Sequence, residues 1–143
     1  MKDPNCGYCV GGAPLAAFGI KICDLSVSQL ILFKEQSHPG RCIVAYKDHV
    51  SEMVNLTDEE RNAFFADVNR AAQAIHAAFH PDEINYGAYG DTGCHLHFHL
   101  VPKYKDGYEW GGVFALNPGE KFLSDQEYEE MIGKILQALE KTR

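Results

Sequence analysis

The stretch His95-Leu96-His97-Phe98-His99-Leu100-Val101 alternates histidines with apolar residues, and Pro102 follows it. An alternation with a period of two is typical of a β-strand that buries one of its faces. We therefore expect Leu96, Phe98 and Leu100 to point into a core, and the three histidines to line the opposite face.

The spacing of this histidine row limits what it can bind. Residues on one face of a strand are about 6.6–6.8 Å apart, which separates His95 from His99 by about 13 Å along the backbone. A zinc ion needs its nitrogen ligands at about 2 Å. One metal ion therefore does not easily take all three imidazoles from a straight strand. The row suits a longer ligand, such as the phosphates of a nucleotide beside a separate metal site.

Composition places the chain among ordinary globular proteins. Its 143 residues suit one domain, spanning 1–143, with 45% hydrophobic and 23% charged residues. No apolar run approaches the roughly 18 residues of a membrane span. The segment 1–6 has no apolar signal core, so we expect a cytoplasmic protein that does not bind membranes. A net charge of −7 argues against nucleic acid as a partner, and an anionic ligand would need local donors.

Cys6-Gly7-Tyr8-Cys9 is a CxxC motif in a chain of five cysteines. Without a secretory signal, this usage favours thiols or metal ligands over disulfides. A redox pair is the alternative, but it requires a helix after the first cysteine, and Gly11-Gly12-Ala13-Pro14 cannot continue one. Two thiolates are half of a zinc site and lack two ligands.

The remaining patterns predict four strands before or around the histidine row and two helices. Thr57-Asp58-Glu59-Glu60 and Ser124-Asp125-Gln126-Glu127 are capping boxes that begin a long central helix, ended by Pro81, and a C-terminal helix over about 124–141. We expect His38 to be exposed on a polar turn. The fold class predicted is α+β, a largely antiparallel sheet with helices on one face. The strands are predicted over 18–23, 29–33, 41–46 and 84–89.

Two glycine-flanked turns precede the histidine row, Asn85-Tyr86-Gly87 and Gly90-Asp91-Thr92. Glycine lets backbone N–H groups approach phosphate oxygens, which makes Gly90 a candidate for substrate binding. An ordinary hairpin turn is the alternative.

The row resembles the signature of the histidine-triad (HIT) family, His-φ-His-φ-His-φ-φ with φ apolar, at all seven positions. Both turns resemble the Asn-x-Gly and Gly-x-Ser/Thr motifs of that family, and the resemblance covers about 6–104. It implies the HIT-like fold and a homodimer, for which the glycine-flanked Trp110 loop offers a surface. It also implies a nucleotide hydrolase or nucleotidyl transferase acting at an α-phosphate through a nucleotidyl-histidine. The implied substrates are dinucleoside polyphosphates or nucleoside phosphoramidates.

Roles for individual residues follow partly from chemistry and partly from this resemblance. Neutral imidazole is a nucleophile at physiological pH, because its unperturbed pKa is about 6.5, and His97 has an imidazole on either side. The resemblance also makes His97 the nucleophile. It implies that His99 stabilises phosphate charge, that Asn85 contacts phosphate and that the Thr92 hydroxyl serves the leaving group.

Three positions depart from the family pattern. Many members carry a ribose-binding aspartate after the second strand, and Glu35 is the nearest acid here. Arg41 stands where many members have a further histidine, and Asp91 stands where glutamine is common. These departures concern the ribose and the leaving group more than the nucleophile.

A distant relative of the family, galactose-1-phosphate uridylyltransferase, implies the missing metal ligands. It binds zinc through a Cys-x-x-Cys, a mid-chain histidine and the first histidine of its own His-Pro-His. The segment 41–49 resembles the stretch that holds its mid-chain ligand. The set implied here is Cys6, Cys9, His49 and His95, a closed set typical of structural zinc.

Two other classes remain open. A zinc-dependent hydrolase could use the His-x-His pair as catalytic ligands, which leaves Cys6 and Cys9 without a role. A non-catalytic nucleotide-binding or signalling module would keep the fold, and an intact His97 counts against it.

Overall fold

The computed structural model describes residues 2–142, which form one antiparallel sheet and two long helices. The strands follow the order β1-β2-β3-β5-β4 across the sheet. The predicted α+β class and antiparallel sheet are confirmed. The strands are β1 Gly19–Asp24, β2 Ser28–Phe33, β3 Cys42–Tyr46, β4 Glu83–Gly87 and β5 His97–Lys103; the helices are α1 Gly7–Val10, α2 Gly12–Ala16, α3 Asp58–Phe79 and α4 Asp125–Leu139.

The sheet separates two different environments because side chains alternate along each strand. On one face, fully buried side chains such as Leu30, Val44 and Leu100 pack against Phe64 and Ile75 of α3. Burying each such side chain stabilises the fold by about 1.5–3 kcal/mol. The other face has a smaller core around β2 and β3, which packs against α2 and the residues beside it. The histidine row lies on this second face.

Both long helices begin at the predicted capping boxes. The Thr57 hydroxyl accepts from the Glu60 N–H at 3.2 Å, and the Glu60 carboxylate accepts from the Thr57 N–H at 2.8 Å. Ser124 and Glu127 repeat the arrangement at α4. Helix α3 ends where His80 adopts a left-handed conformation with φ 53°, just before Pro81. No helix among residues 2–142 has both the length and the apolar character needed to cross a membrane.

The expectation that His95 lies within a strand is wrong, because β5 begins at His97. Pairing with β3 stops at Ala45 opposite His97. The Leu96 carbonyl still accepts from the Tyr46 N–H at 3.0 Å, but the Leu96 N–H donates to the Val50 carbonyl at 2.7 Å, so regular pairing ends here. The alternation of faces nevertheless continues, since Leu96 is buried in the helix-side core. Strand β4 likewise ends at Gly87, two residues earlier than predicted.

The segment 104–124 contains no helix or strand, passes over the turn between β2 and β3, and is held by buried polar side chains. The Lys103 ammonium donates to the carbonyls of Glu109 and Gly112, at 2.8 Å each. The prediction that His38 is exposed is wrong: it is 1% exposed. Its Nε2–H donates to the Glu109 carboxylate at 2.7 Å, because this segment covers the turn that carries it.

Candidate functional site

Strand β5 places His97 opposite Ala45, whose small side chain leaves room for the imidazole. The ring is 6% exposed, and its Nδ1–H donates to the His95 carbonyl at 2.6 Å. Burial lowers the pKa of His97, against the opposing effect of that hydrogen bond. The ring is therefore neutral at physiological pH, with its proton on Nδ1 and a lone pair on Nε2. Such a ring can act as a nucleophile.

His99 has the opposite arrangement. Its Nδ1 accepts from an Nη2–H of Arg41 at 3.1 Å, so a neutral ring carries its proton on Nε2. Burial, together with the nearby Arg41 and His97, lowers the pKa of His99 to about 3. The ring is therefore a neutral N–H donor at physiological pH. The two neighbouring histidines thus offer a lone pair and a proton donor side by side, with ring centroids 5.3 Å apart.

Both histidines line a cavity of about 340 Å³ with an aromatic wall, which we call the aromatic cavity. Its volume and lining are typical of sites for small organic ligands such as a nucleoside. His97 also lines a second cavity, of about 440 Å³, between the turn at Ser51 and the turn at Gly90. We call this the side cavity. His97 therefore stands where the two meet. Aromatic residues lining the aromatic cavity include Tyr8, Phe18, Phe33 and Phe122.

The structure brings some predicted substrate-binding residues to these cavities and not others. Thr92 lines the aromatic cavity and Gly90 lines the side cavity. Asn85 lines neither and borders a separate depression beside Phe114. Glu35 borders the aromatic cavity, but its carboxylate accepts four internal hydrogen bonds. The donors are the Ser37 N–H and hydroxyl and the N–H groups of Glu120 and Lys121.

A second cluster, which we call the Cys/His cluster, joins the N-terminal turn to the start of the histidine row. It consists of Cys6, Cys9, His49 and His95, whose ligand atoms all lie within 4.8 Å of one another. The Sγ atoms of Cys6 and Cys9 are 3.4 and 3.5 Å from His95 Nδ1. His49 Nδ1 is 3.5 Å from Cys9 Sγ and 3.3 Å from His95 Nδ1.

These separations fit a tetrahedral metal ion. With zinc bonds of about 2.3 Å to sulfur and about 2.0–2.1 Å to nitrogen, two such ligand atoms are about 3.3–3.6 Å apart when at least one is nitrogen. The outer ring nitrogens are also oriented as metal-bound histidines require. The His95 Nε2–H donates to the Tyr46 carbonyl at 2.7 Å, and His49 Nε2 lies 3.6 Å from the Asp3 carboxylate. The donor set therefore fits zinc.

The sequence marks Arg41 only as a departure from the family pattern, and it predicts no site role for Tyr8. Arg41 contacts His99, and Tyr8 packs against His97. A signal was present for both: Arg41 is a charged residue at the start of an apolar strand, and Tyr8 lies inside the CxxC motif. Neither signal predicts which histidine the residue contacts, because that depends on the tertiary fold.

An antiparallel sheet that carries a row of histidines on the face opposite its long helices is typical of a histidine-triad protein. The chain belongs to the HIT domain family, whose model matches residues 22–106.

Three relatives illustrate this similarity. A histidine-triad protein from Sinorhizobium meliloti 1021 has a similar structure, with a TM-score of 0.81 and 21% identity, over 89% of this chain and 94% of the other. A Zn-bound histidine-triad protein from Mycobacterium smegmatis gives a TM-score of 0.61 at 22% identity, over 86% and 85% of the two chains. The bis(5'-adenosyl)-triphosphatase of Dictyostelium discoideum is 29% identical over 98 residues, 65% of each chain.

Proposed function

We propose that this protein is a nucleotide hydrolase or nucleotidyl transferase that acts at an α-phosphate through a nucleotidyl-histidine on His97. The observation that carries the proposal is the hydrogen bond from His97 Nδ1–H to the His95 carbonyl. It leaves the Nε2 lone pair of a neutral ring beside a cavity large enough for a nucleoside. Membership of the HIT family and the similarity to a dinucleoside triphosphatase support the same reaction class.

In this mechanism the base and ribose occupy the aromatic cavity, where aromatic side chains offer stacking surfaces. His97 Nε2 attacks the α-phosphorus, an N–P bond forms, and the bond from phosphorus to the leaving group breaks. His99 Nε2–H donates to a non-bridging oxygen as negative charge develops. Water then attacks phosphorus and breaks the N–P bond, which releases the nucleotide and restores His97.

The turn Gly90-Asp91-Thr92 before β5 serves the leaving-group side in this proposal. Thr92 lines the aromatic cavity and Gly90 lines the side cavity, and His97 lines both, which supports a role for the two residues in binding the leaving group or its phosphates. We assign no step to Asn85, which borders a different depression, or to Glu35, whose carboxylate is already hydrogen-bonded within the protein.

We also propose that the Cys/His cluster holds one structural zinc ion. Four protein ligands leave no open position, so this zinc would fix the N-terminal turn against His95 rather than activate water. Among residues 2–142, this cluster is the group of potential metal ligands that the structure brings together, and it contains neither His97 nor His99. That observation favours the nucleophilic mechanism over a catalytic metal on the His-x-His pair.

A homodimer completes the proposal. It rests on family membership and on the position of β4 at the edge of the sheet, where its outer backbone groups have no strand partner among the described residues. An exposed edge strand is a ready site for pairing with a second chain.

The free thiols of the Cys/His cluster also suit a reducing compartment such as the cytoplasm.

The test is to trap the adduct. Wild-type protein mixed with diadenosine triphosphate or adenosine phosphoramidate should yield an acid-labile, base-stable adenylyl-protein, detected by mass spectrometry. His97→Ala should lose the adduct and turnover, whereas His76→Ala, a change of an exposed histidine on α3, should keep both. Wild-type turnover in His97→Ala would show that the proposed mechanism is wrong.

A further inference from the structure

Arg41 is fully buried immediately before β3, where the histidine row meets segment 104–124. Its Nη1–H donates to the Ala115 carbonyl at 3.0 Å, and Nη2–H groups donate to the Leu116 carbonyl at 2.8 Å and to His99 Nδ1 at 3.1 Å. The guanidinium carbon lies 4.2 Å from the centroid of Phe33, close enough for a cation–π contact.

No carboxylate among the described residues forms an ion pair with this buried guanidinium. Among residues 2–142, the ion pairs within 4.0 Å do not include Arg41, and its Nε is buried without a hydrogen-bond partner. Burial lowers the pKa of Arg41 to about 10, which keeps the side chain charged at physiological pH. A buried charge is costly unless an opposite charge pairs with it directly, and the carboxylates of Glu35 and Glu109 act on Arg41 only through space. Two carbonyls and an aromatic face offset only part of that cost, so the site is suited to an incoming anion.

We propose that Arg41 is a positioning residue of the phosphate site, which fixes the His99 proton on Nε2 and supplies the permanent positive charge that a neutral His99 lacks. This proposal rests on the proposed function. A phosphate oxygen bound at Nε2–H would be connected through the imidazole to the guanidinium, and linked hydrogen bonds of this kind polarise one another. The phosphate would then meet a cationic pair in which the charge resides on the arginine.

Among residues 2–142, no other cation packs against the His99 ring, and Lys34, which lines the same cavity, donates to the Ala16 carbonyl. Arg41 faces His99 from just before β3, His97 lies beside it on β5, and the rings of Phe33 and Phe114 pack against it. Because His99 stays neutral, phosphate binding should not depend on its protonation between about pH 5 and 8. A site that relied on an imidazolium would instead bind phosphate more tightly as the pH falls.

The experiment measures AMP binding and the ¹⁵N shifts of the His99 ring, neither of which requires turnover. In the wild-type protein, Nδ1 should be unprotonated and Nε2 protonated from pH 5 to 8. Arg41→Met should weaken AMP binding at pH 7.5 by about tenfold or more, the scale of one charge-assisted contact. It should also raise the pKa of His99, so that AMP binding becomes stronger as the pH falls. Arg41→Lys, which keeps the charge, should restore part of the affinity.

Glu109→Ala is the matched control. It removes the carboxylate that accepts from the Ala115 N–H, and so loosens the same segment without touching His99. We expect its AMP affinity to stay within about twofold of wild type. The proposal is overturned if Arg41→Met binds AMP normally, if Glu109→Ala reproduces the loss, or if wild-type His99 carries its proton on Nδ1. The wild-type ¹⁵N measurement decides the last point even where Arg41→Met does not fold. Failure to trap an adduct on His97 would leave these results unaffected.

Discussion

The phenol ring of Tyr8 stacks on the imidazole of His97, with ring centroids 4.9 Å apart and planes inclined by 29°. The same ring lies 5.3 Å from the centroid of His95. Tyr8 belongs to the turn between Cys6 and Cys9, so the side chain that packs on the proposed nucleophile is part of the proposed zinc site. A structural metal bound by Cys6 and Cys9 would therefore help to position Tyr8, and through Tyr8 the imidazole of His97.

Tyr8→Ala should therefore slow the formation of the adduct while leaving the ligand set intact. Misplacement of a reacting group by about 1 Å can cost 10²-fold in rate, and we expect a loss of about tenfold or more in single-turnover measurements. Tyr8→Phe keeps the stacked ring and should stay within about twofold of wild type. A wild-type rate in Tyr8→Ala would mean that the stacking does not position His97.

Removing the cysteine ligands should remove the metal and lower stability. We expect about one zinc per wild-type chain by elemental analysis, and none in the double variant Cys6→Ser/Cys9→Ser. Its melting temperature should fall, because binding of a structural zinc contributes free energy of folding. Cys94→Ser is the control: it changes an exposed cysteine next to His95 that lies outside the Cys/His cluster. Wild-type protein purified without chelators and free of metal would contradict the zinc proposal.

Stability should decrease in acid through His99. The pKa of His99 is about 3 in the folded protein, whereas the ordinary value of 6.5 applies to the unfolded chain. Below pH 6.5, the unfolded chain therefore binds a proton that the folded protein does not. The free energy of unfolding therefore decreases as the pH falls, and this group contributes up to about 1.4 kcal/mol per pH unit to the decrease.

His99→Gln, which keeps a hydrogen-bond acceptor for Arg41, should remove that contribution. Between pH 7 and pH 5, wild type should lose about 2 kcal/mol more than the variant in urea unfolding. Protonation of the cysteine and histidine metal ligands affects both proteins and cancels in the comparison. Parallel pH profiles would show that His99 is not held neutral in the folded protein.

The homodimer proposal predicts a dimer mass by light scattering at micromolar concentration. Tyr86 and Val113, 50% and 85% exposed, border the same depression beside the edge strand β4. Replacing both with lysine should shift the protein towards monomer, since charges at a strand edge oppose pairing. Val54→Lys, at a side chain that is 83% exposed and does not border that depression, should leave the mass unchanged. A monomeric wild-type protein would refute the proposal.

The sequence by itself determined the features that depend on local periodicity. Alternation placed Leu96 and Leu100 in the core and the histidines on the opposite face, and the capping boxes at Thr57 and Ser124 began the long helices where predicted. The Cys/His cluster was also anticipated, although only through resemblance to a zinc-binding relative. These features follow from side-chain direction and backbone hydrogen bonding within a few residues.

Only the tertiary structure decided how distant segments meet. Arg41 contacts His99 across 58 positions of sequence because β3 pairs with β5 in one register. His38 is buried, and the Glu35 carboxylate is occupied, because segment 104–124 crosses the turn between β2 and β3. That segment has no hydrophobic period of its own, and buried side chains of other elements hold it in place. Its path, and with it the electrostatics of the phosphate site, depends on contacts that no local pattern encodes.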